Sequence, residues 1–192
     1  MPTRNQPVLD FLSSRRSRIS STLQPPVPAR AEVQDILQIA SRVPDHGKLV
    51  PWRFVVLERE DCIAYGDALY DVRMAQEVGE KRAEMAANNY RKRHLVIAVI
   101  ESVKTETTIP QSEQTFAVGG VCFNLLATLL ASGWGAQWLS GVDADLEQRM
   151  LGVAPHERVA GMIHVGTGAD SVTDRPRPDM DAITTWGLQA TA

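Results

Sequence analysis

Two arginines, a serine and a third arginine follow one another at residues 15–18, directly behind a segment in which Val8, Phe11 and Leu12 recur at helical spacing. Planar guanidinium groups grip phosphate oxygens through paired charge-assisted hydrogen bonds, and a serine hydroxyl adds a compact donor. Arg15, Arg16 and Ser17 are therefore chemically suited to a phosphate. Cations also suit the C-terminal end of a helix and a solvated surface, and the run by itself fits both readings. A second polar run, Arg42 to Lys48 (RVPDHGK), lies between an apolar helix and a strand and leads to Pro51 and Trp52. Loops fixed by rigid elements often carry ligand contacts, although His46 equally suits a surface or capping role and Trp52 a core. The third candidate is Trp138, Leu139 and Ser140, where backbone amides and a hydroxyl could address a flat ring; a core tryptophan is the plain alternative.

Other chemistries lack their residues. No G-x-G-x-x-G follows an early strand, neither H-E-x-x-H nor G-x-S-x-G occurs, and His46, His94, His156 and His164 have no ligand spacing. Dinucleotide-fingerprint, zinc and serine-hydrolase readings are set aside on that basis. The 192 residues carry a formal net charge of -3, from 20 basic and 23 acidic side chains, so no global positive field draws the chain to nucleic acid or an anionic membrane. Any anion site has to be local. Cys62 and Cys122 form neither a disulfide framework nor a metal-ligand spacing, and the opening residues hold too short an apolar stretch for a signal peptide. A cytoplasmic location is expected.

The elements that must position these residues follow from periodicity. Helices are expected from Pro7 to about Arg16, from Arg30 to Arg42, and from Asp61 to about Tyr90, the last divided at Gly66 or Gly79. Strands are expected at Arg53–Glu58 and from Leu95, at Gly135 onward, and in RVAGMIHVGTG, which supplies the last strand and a turn, with a helix capped by Asp143 over Ala144–Leu151. Residues 114–142 contain no Asp, Glu, Lys or Arg. A membrane span needs about 20 predominantly apolar residues, but Asn124, Thr128, Ser132 and Gln137, with Gly133 and Gly135, point instead to a buried helix from Gln111 to about Ser132 followed by a buried strand. The expected architecture is α+β: a mostly antiparallel sheet of four to five strands flanked by helices, with one long buried helix. One domain spans residues 1–192, with an extended C-terminal arm from about residue 169 in which Trp186 is an isolated anchor.

Taken together, RRS at Arg15–Ser17, ILQIASRVPDHGKLVPWRFVVLE at Ile36–Glu58, the uncharged helix running into ASGWGAQWLSG, and GMIHVGT before the tail resemble the nitroreductase family of flavoproteins, in particular its small branch. The resemblance spans almost the whole chain. It implies a homodimer with FMN at the interface, and an FMN-dependent oxidoreductase that uses NADH or NADPH to reduce nitroaromatic, quinone or similar electron-poor acceptors by a ping-pong mechanism. No nucleic acid, membrane or metal is implied, and no side chain is assigned as a catalytic acid or base. Arg15, Arg16 and Ser17 would hold the phosphate side of the flavin, Arg42 and His46 would come from the loop, and Trp138, Leu139 and Ser140 would meet the cofactor from another segment. Thr128, Leu129, Leu130, Ala131, Ser132 and Gly133 match a stretch linked to the nicotinamide nucleotide. Lys48 and Val50 stand where many relatives carry an Asn-x-Gln pair, which removes amides that could bond the flavin. That departure keeps open a non-catalytic flavin sensor or carrier. Arg175 and Arg177 are further candidates for a phosphate contact from the tail.

Overall fold

The computed structural model describes residues 3–168 and 172–188. Four strands, β1 (Trp52–Glu58), β2 (Leu95–Ser102), β3 (Gly135–Leu139) and β4 (Glu157–Gly166), form one antiparallel sheet in the order β1-β2-β4-β3. The expected α+β class is thus observed, with the sheet at four strands. β2 is buried along its whole length, which is why LVIAVIES reads as a continuous apolar run instead of an alternating one. Its side chains alternate between two cores. Leu95, Ile97 and Val99 face a core shared with α2 (Arg30–Ala40) and α5 (Gln111–Ala131), while Val96, Ala98 and Ile100 face one shared with α3 (Arg59–Ala75), α4 (Glu80–Arg91) and α6 (Ala144–Leu151).

The uncharged stretch is explained by α5 and β3. Val118, Val121, Cys122, Leu125 and Leu129 of α5 are buried against α2 and the sheet. This helix is long and apolar enough to cross a membrane by composition, but here it is packed inside the protein. Its other side leaves Phe116 and Phe123 exposed, and α1 (Gln6–Ser14) buries none of its residues while exposing Val8, Leu9 and Leu12. The accessible surface of 12120 Å² exceeds the roughly 9,000 Å² expected of a compact monomer of this size. Both thiols are buried and free, and burial pushes each up to about 12, so neither is a reactive thiolate at neutral pH.

Several boundaries differ from expectation. α1 ends at Ser14 and α2 at Ala40, so Arg15 and Arg42 lie beyond their helices instead of inside them. α3 starts at Arg59 because the Glu58 and Asp61 side chains make a reciprocal capping box. The break between α3 and α4 falls at Gln76–Gly79, where Glu77 has a φ of 55°, and not at Gly66. Gly66 sits within α3 because a Cβ there would come within 2.8 Å of the Ala87 carbonyl oxygen of α4. Residues 169–171, where the arm is expected to begin, lie outside the described residues. Residues 172–179 have no regular structure and lead to a single turn, α7 (Met180–Ile183). Trp186, expected as an anchor, is 87% exposed and belongs to neither core.

Arg53 of β1 ties the sheet's margin to the start of β4 by donating to both Glu157 carboxylate oxygens, at 2.9 and 2.6 Å. These hydrogen bonds, against the opposing effect of burial, hold the Glu157 carboxyl down to about 2 from an ordinary 4.5. A depressed carboxyl stabilises fully above its unfolded value, and that contribution disappears as pH falls towards the folded value. Acid titration of stability by urea unfolding is expected to show a Glu157→Gln variant with a shallower fall than wild type between about pH 4.5 and 2. Parallel curves for the two proteins would contradict this assignment.

Candidate functional site

Beyond α1 the chain does not turn away into solvent; residues 18–24 run beside the edge strand β3 and the end of β4. The Arg18 amide donates to the Ala136 carbonyl at 2.9 Å, the Ser20 amide to Gln137 Oε1 at 2.5 Å, and Gln24 bridges to Thr167. From beneath, Ser20 Oγ meets His164 Nδ1 at 2.6 Å, and the buried Arg93 guanidinium donates to the Ser20 and Leu23 carbonyls. Burial, reinforced by the Arg93 charge, drives His164 down to about 3, so this anchor is neutral at physiological pH. A rigid strap results, with Arg15, Arg16 and Ser17 at its leading end.

Those residues line a cavity of about 610 Å³ together with Arg18, Gln137, Arg175 and Arg177. Five guanidinium groups thus surround one space in a chain whose net charge is -3. Asp174 pairs with Arg16 at 3.1 Å and Arg177 at 2.8 Å, and Arg16 also donates to the Thr173 carbonyl. One carboxylate leaves most of that positive charge uncompensated. Arg15 additionally lies over the Phe123 ring of α5 at 5.3 Å. The tail arginines therefore join the strap arginines, which sequence order alone did not rank. The donor set is chemically matched to a phosphate ester such as that of FMN: it offers fork-shaped donors, a hydroxyl and an amide.

Trp138, Leu139 and Ser140 lie at the end of β3. The Trp138 ring rests over Gly161 of β4, where a Cβ would come within 2.4 Å of Nε1, and that nitrogen donates to the Ala160 carbonyl at 3.2 Å. Trp138 is 39% exposed and is not in either core. The bland reading of a core tryptophan thus fails for Trp138, whereas it holds for Trp52, which is buried. Trp138 and Ser140 line a second cavity of about 280 Å³ with Glu101, Thr115, Gly119 and Arg158. Glu101 and Arg158 carried no sequence motif; the available signal was a carboxylate at the end of an otherwise apolar strand.

The nicotinamide-linked stretch divides. Thr128 and Leu129 are buried in the α5 core, Ala131 and Ser132 are exposed, and Leu130 and Gly133 line a pocket of about 320 Å³ against Arg15, Arg16 and Arg18. Neither Arg42 nor His46 is among the described residues that line the arginine cavity. His46 is exposed and joins Glu113 of α5 through Nδ1 at 2.8 Å, beside Pro44, Phe116 and Gly120. In this loop Lys48 and Val50 have φ values of 54° and 48°, a left-handed conformation that is rare for any residue with a Cβ and rarer for a β-branched one. The Val50 amide is held there by Asp45 Oδ2 at 2.8 Å.

The model of the family described as nitroreductases matches residues 12–167. The chain belongs to the nitroreductase family. Among relatives of this family, YdjA of Escherichia coli (strain K12), whose name provisionally marks it an NAD(P)H nitroreductase, is 27% identical over 161 residues, covering 83% of this chain and 87% of its own. The solved nitroreductase-like family protein from Bacillus cereus superposes with a TM-score of 0.78 at 18% identity, covering 96% of this chain and 97% of its own. A mutant of the FMN- and NADPH-dependent nitroreductase NfnB from sphigopyxis sp. strain HMH gives a TM-score of 0.75 at 18% identity, covering 93% and 97%. At that identity the two structures speak to the nitroreductase fold alone.

The left-handed Val50 stores strain of roughly 1–3 kcal/mol. Because its side chain is 50% exposed, Val50→Asn relieves that strain with little lost packing and restores an amide. Calorimetry is expected to show Tm raised by about 2–4 °C per kcal/mol recovered. An unchanged or lowered Tm would show that the loop holds no strain at this residue.

Proposed function

We propose that this chain is an FMN-dependent oxidoreductase that uses NAD(P)H to reduce nitroaromatic, quinone or similar electron-poor acceptors, acting as a homodimer with the flavin at its interface. The observation that carries the reading is the convergence of five arginines and Ser17 on one cavity whose wall also includes Gln137, the chain neighbour of Trp138. FMN, when bound, would accept hydride from a nicotinamide and deliver electrons to the acceptor. The protein's part is positional. Arg15, Arg16 and Ser17, with Arg175 and Arg177, hold the phosphate; Trp138, Leu139 and Ser140 flank the ring through backbone amides and a hydroxyl. Leu130 and Gly133 are the members of the nicotinamide-linked stretch placed beside the arginines. Donor and acceptor using one cleft in turn gives ping-pong kinetics.

Two observations support the dimer. Arg42 and His46 stand apart from the arginine cavity within one chain, so a site using all of these residues draws on two copies. The exposed Val8, Leu9, Leu12, Phe116 and Phe123 supply apolar surface for such a contact. A cytoplasmic location belongs to the same reading and is supported by two free, buried thiols. A second reading, a flavin sensor or carrier without turnover, is favoured by Lys48 and Val50, whose side chains cannot offer the amide pair many relatives have at these positions.

The arginine assignment separates FMN from riboflavin, which lacks the phosphate. In fluorescence titrations, Arg16→Ala and Arg177→Ala are each expected to weaken FMN binding about tenfold or more, the worth of one charge-assisted hydrogen bond, while riboflavin binding stays within about threefold. Equal losses for both flavins would show that these arginines do not contact the phosphate.

A further inference from the structure

Glu101 is the penultimate residue of the apolar strand β2 and is the register partner of Arg158 on β4. Its side chain is 2% exposed, whereas that of Arg158 is 66% exposed. Arg158 Nε donates to Glu101 Oε2, and the Thr115 hydroxyl of α5 donates to Oε1. Burial alone would push the Glu101 carboxyl up, but these two hydrogen bonds outweigh it and keep the group below the ordinary carboxylate range. It is therefore a fixed anion whose partner reaches out to solvent. Such a half-buried pair adds little to stability; what it accomplishes is to hold one guanidinium in a single orientation. Glu101 is the hydrogen-bond partner of Arg158 among the described residues, so the terminal Nη donors are free to serve a ligand.

The surroundings are shaped for one. The cavity of about 280 Å³ that contains this pair is bounded by Trp138, Ser140 and Gly119. Gly119 lies inside α5, where glycine is a poorer helix former than alanine, yet a Cβ there would meet nothing within 4 Å. Packing does not require the glycine, and its missing side chain keeps the cavity wall flat opposite an aromatic ring. We infer that this cavity takes the carboxylate of a planar, electron-poor acceptor, with Arg158 as the contacting residue and Glu101 as its positioning residue. The inference rests on the proposed function in one respect: Trp138–Ser140 is the segment that places the acceptor beside the flavin.

The test uses an unreactive matched pair, benzoate and benzamide, titrated calorimetrically into purified protein as isolated and again after loading with FMN. Flavin content is measured by absorbance in every sample. Wild type is expected to bind benzoate about tenfold or more tighter than benzamide, as a charge-assisted hydrogen bond implies. Arg158→Gln and Glu101→Gln are expected to bring the two affinities within about threefold, with Arg158→Lys retaining part of the preference. Circular dichroism reports whether each variant is folded, and Arg158→Lys keeps a cation beside the buried Glu101 if Arg158→Gln does not fold. Wild type without a benzoate preference, or a preference unchanged in Arg158→Gln, overturns the inference. So does loss of flavin with an unchanged preference, which would assign Arg158 to the cofactor. An Arg158-dependent preference in protein that takes up no flavin would refute the proposed function and leave the carboxylate site standing. Flavin uptake without the preference would do the reverse.

Discussion

Like charges repel, and five guanidinium groups around one cavity are tolerated only if the backbone holds them there or an anion joins them. Much of the molecule can be understood from that constraint. The strap at residues 18–24 is fastened to β3 and the end of β4 by main-chain and side-chain hydrogen bonds, and from beneath by the neutral His164 and by Arg93. The tail approaches from the other side, with Asp174 bridging Arg16 and Arg177. A single exposed carboxylate in contact with solvent is a weak counter-charge. A phosphate dianion presented to the same donors would make several charge-assisted bonds at once.

The second constraint is uncovered apolar surface. α5 is buried on the face towards α2 and the sheet, but Phe116 and Phe123 remain exposed, and α1 buries no residue of its own. A helix so lightly attached has little tertiary packing to hold it, and short isolated helices are marginal in water. In the proposed homodimer the partner covers these faces, and the same contact brings the loop carrying Arg42 and His46 towards the flavin. Cofactor binding and subunit association are then two aspects of one assembly. The strained Lys48 and Val50 lie in that loop.

The parts of the fold legible in the sequence were those with strong local pattern. The all-buried β2, the α5 helix uncharged from Gln114 onward and the Asp143 cap of α6, where the side chain accepts the Leu146 amide at 2.9 Å, each follow from local composition. Arg15, Arg16 and Ser17 stood out in the sequence as a cationic run chemically suited to a phosphate, but that these residues would be met by Arg175 and Arg177 depends on contacts some 158 positions apart, such as Arg16 to Asp174. No periodicity encodes that. The Glu101–Arg158 pair was hidden for the same reason, since register across β2 and β4 unites two residues that are 57 positions apart. The break between α3 and α4 was legible only as a choice between Gly66 and Gly79, because a glycine serving close helix contact looks in sequence like one that ends a helix. The left-handed backbone at Lys48 and Val50 was illegible because neither residue type favours it.

The central claim, that these residues seat a flavin that turns over, is tested most directly by anaerobic titration. Protein incubated with FMN and desalted should keep the absorbance of oxidised flavin. It should lose that absorbance on addition of about one equivalent of NADH or NADPH and regain it when a quinone is added, as two separable half-reactions imply. Retained flavin that neither nicotinamide bleaches would contradict the claim and leave a flavin carrier in its place.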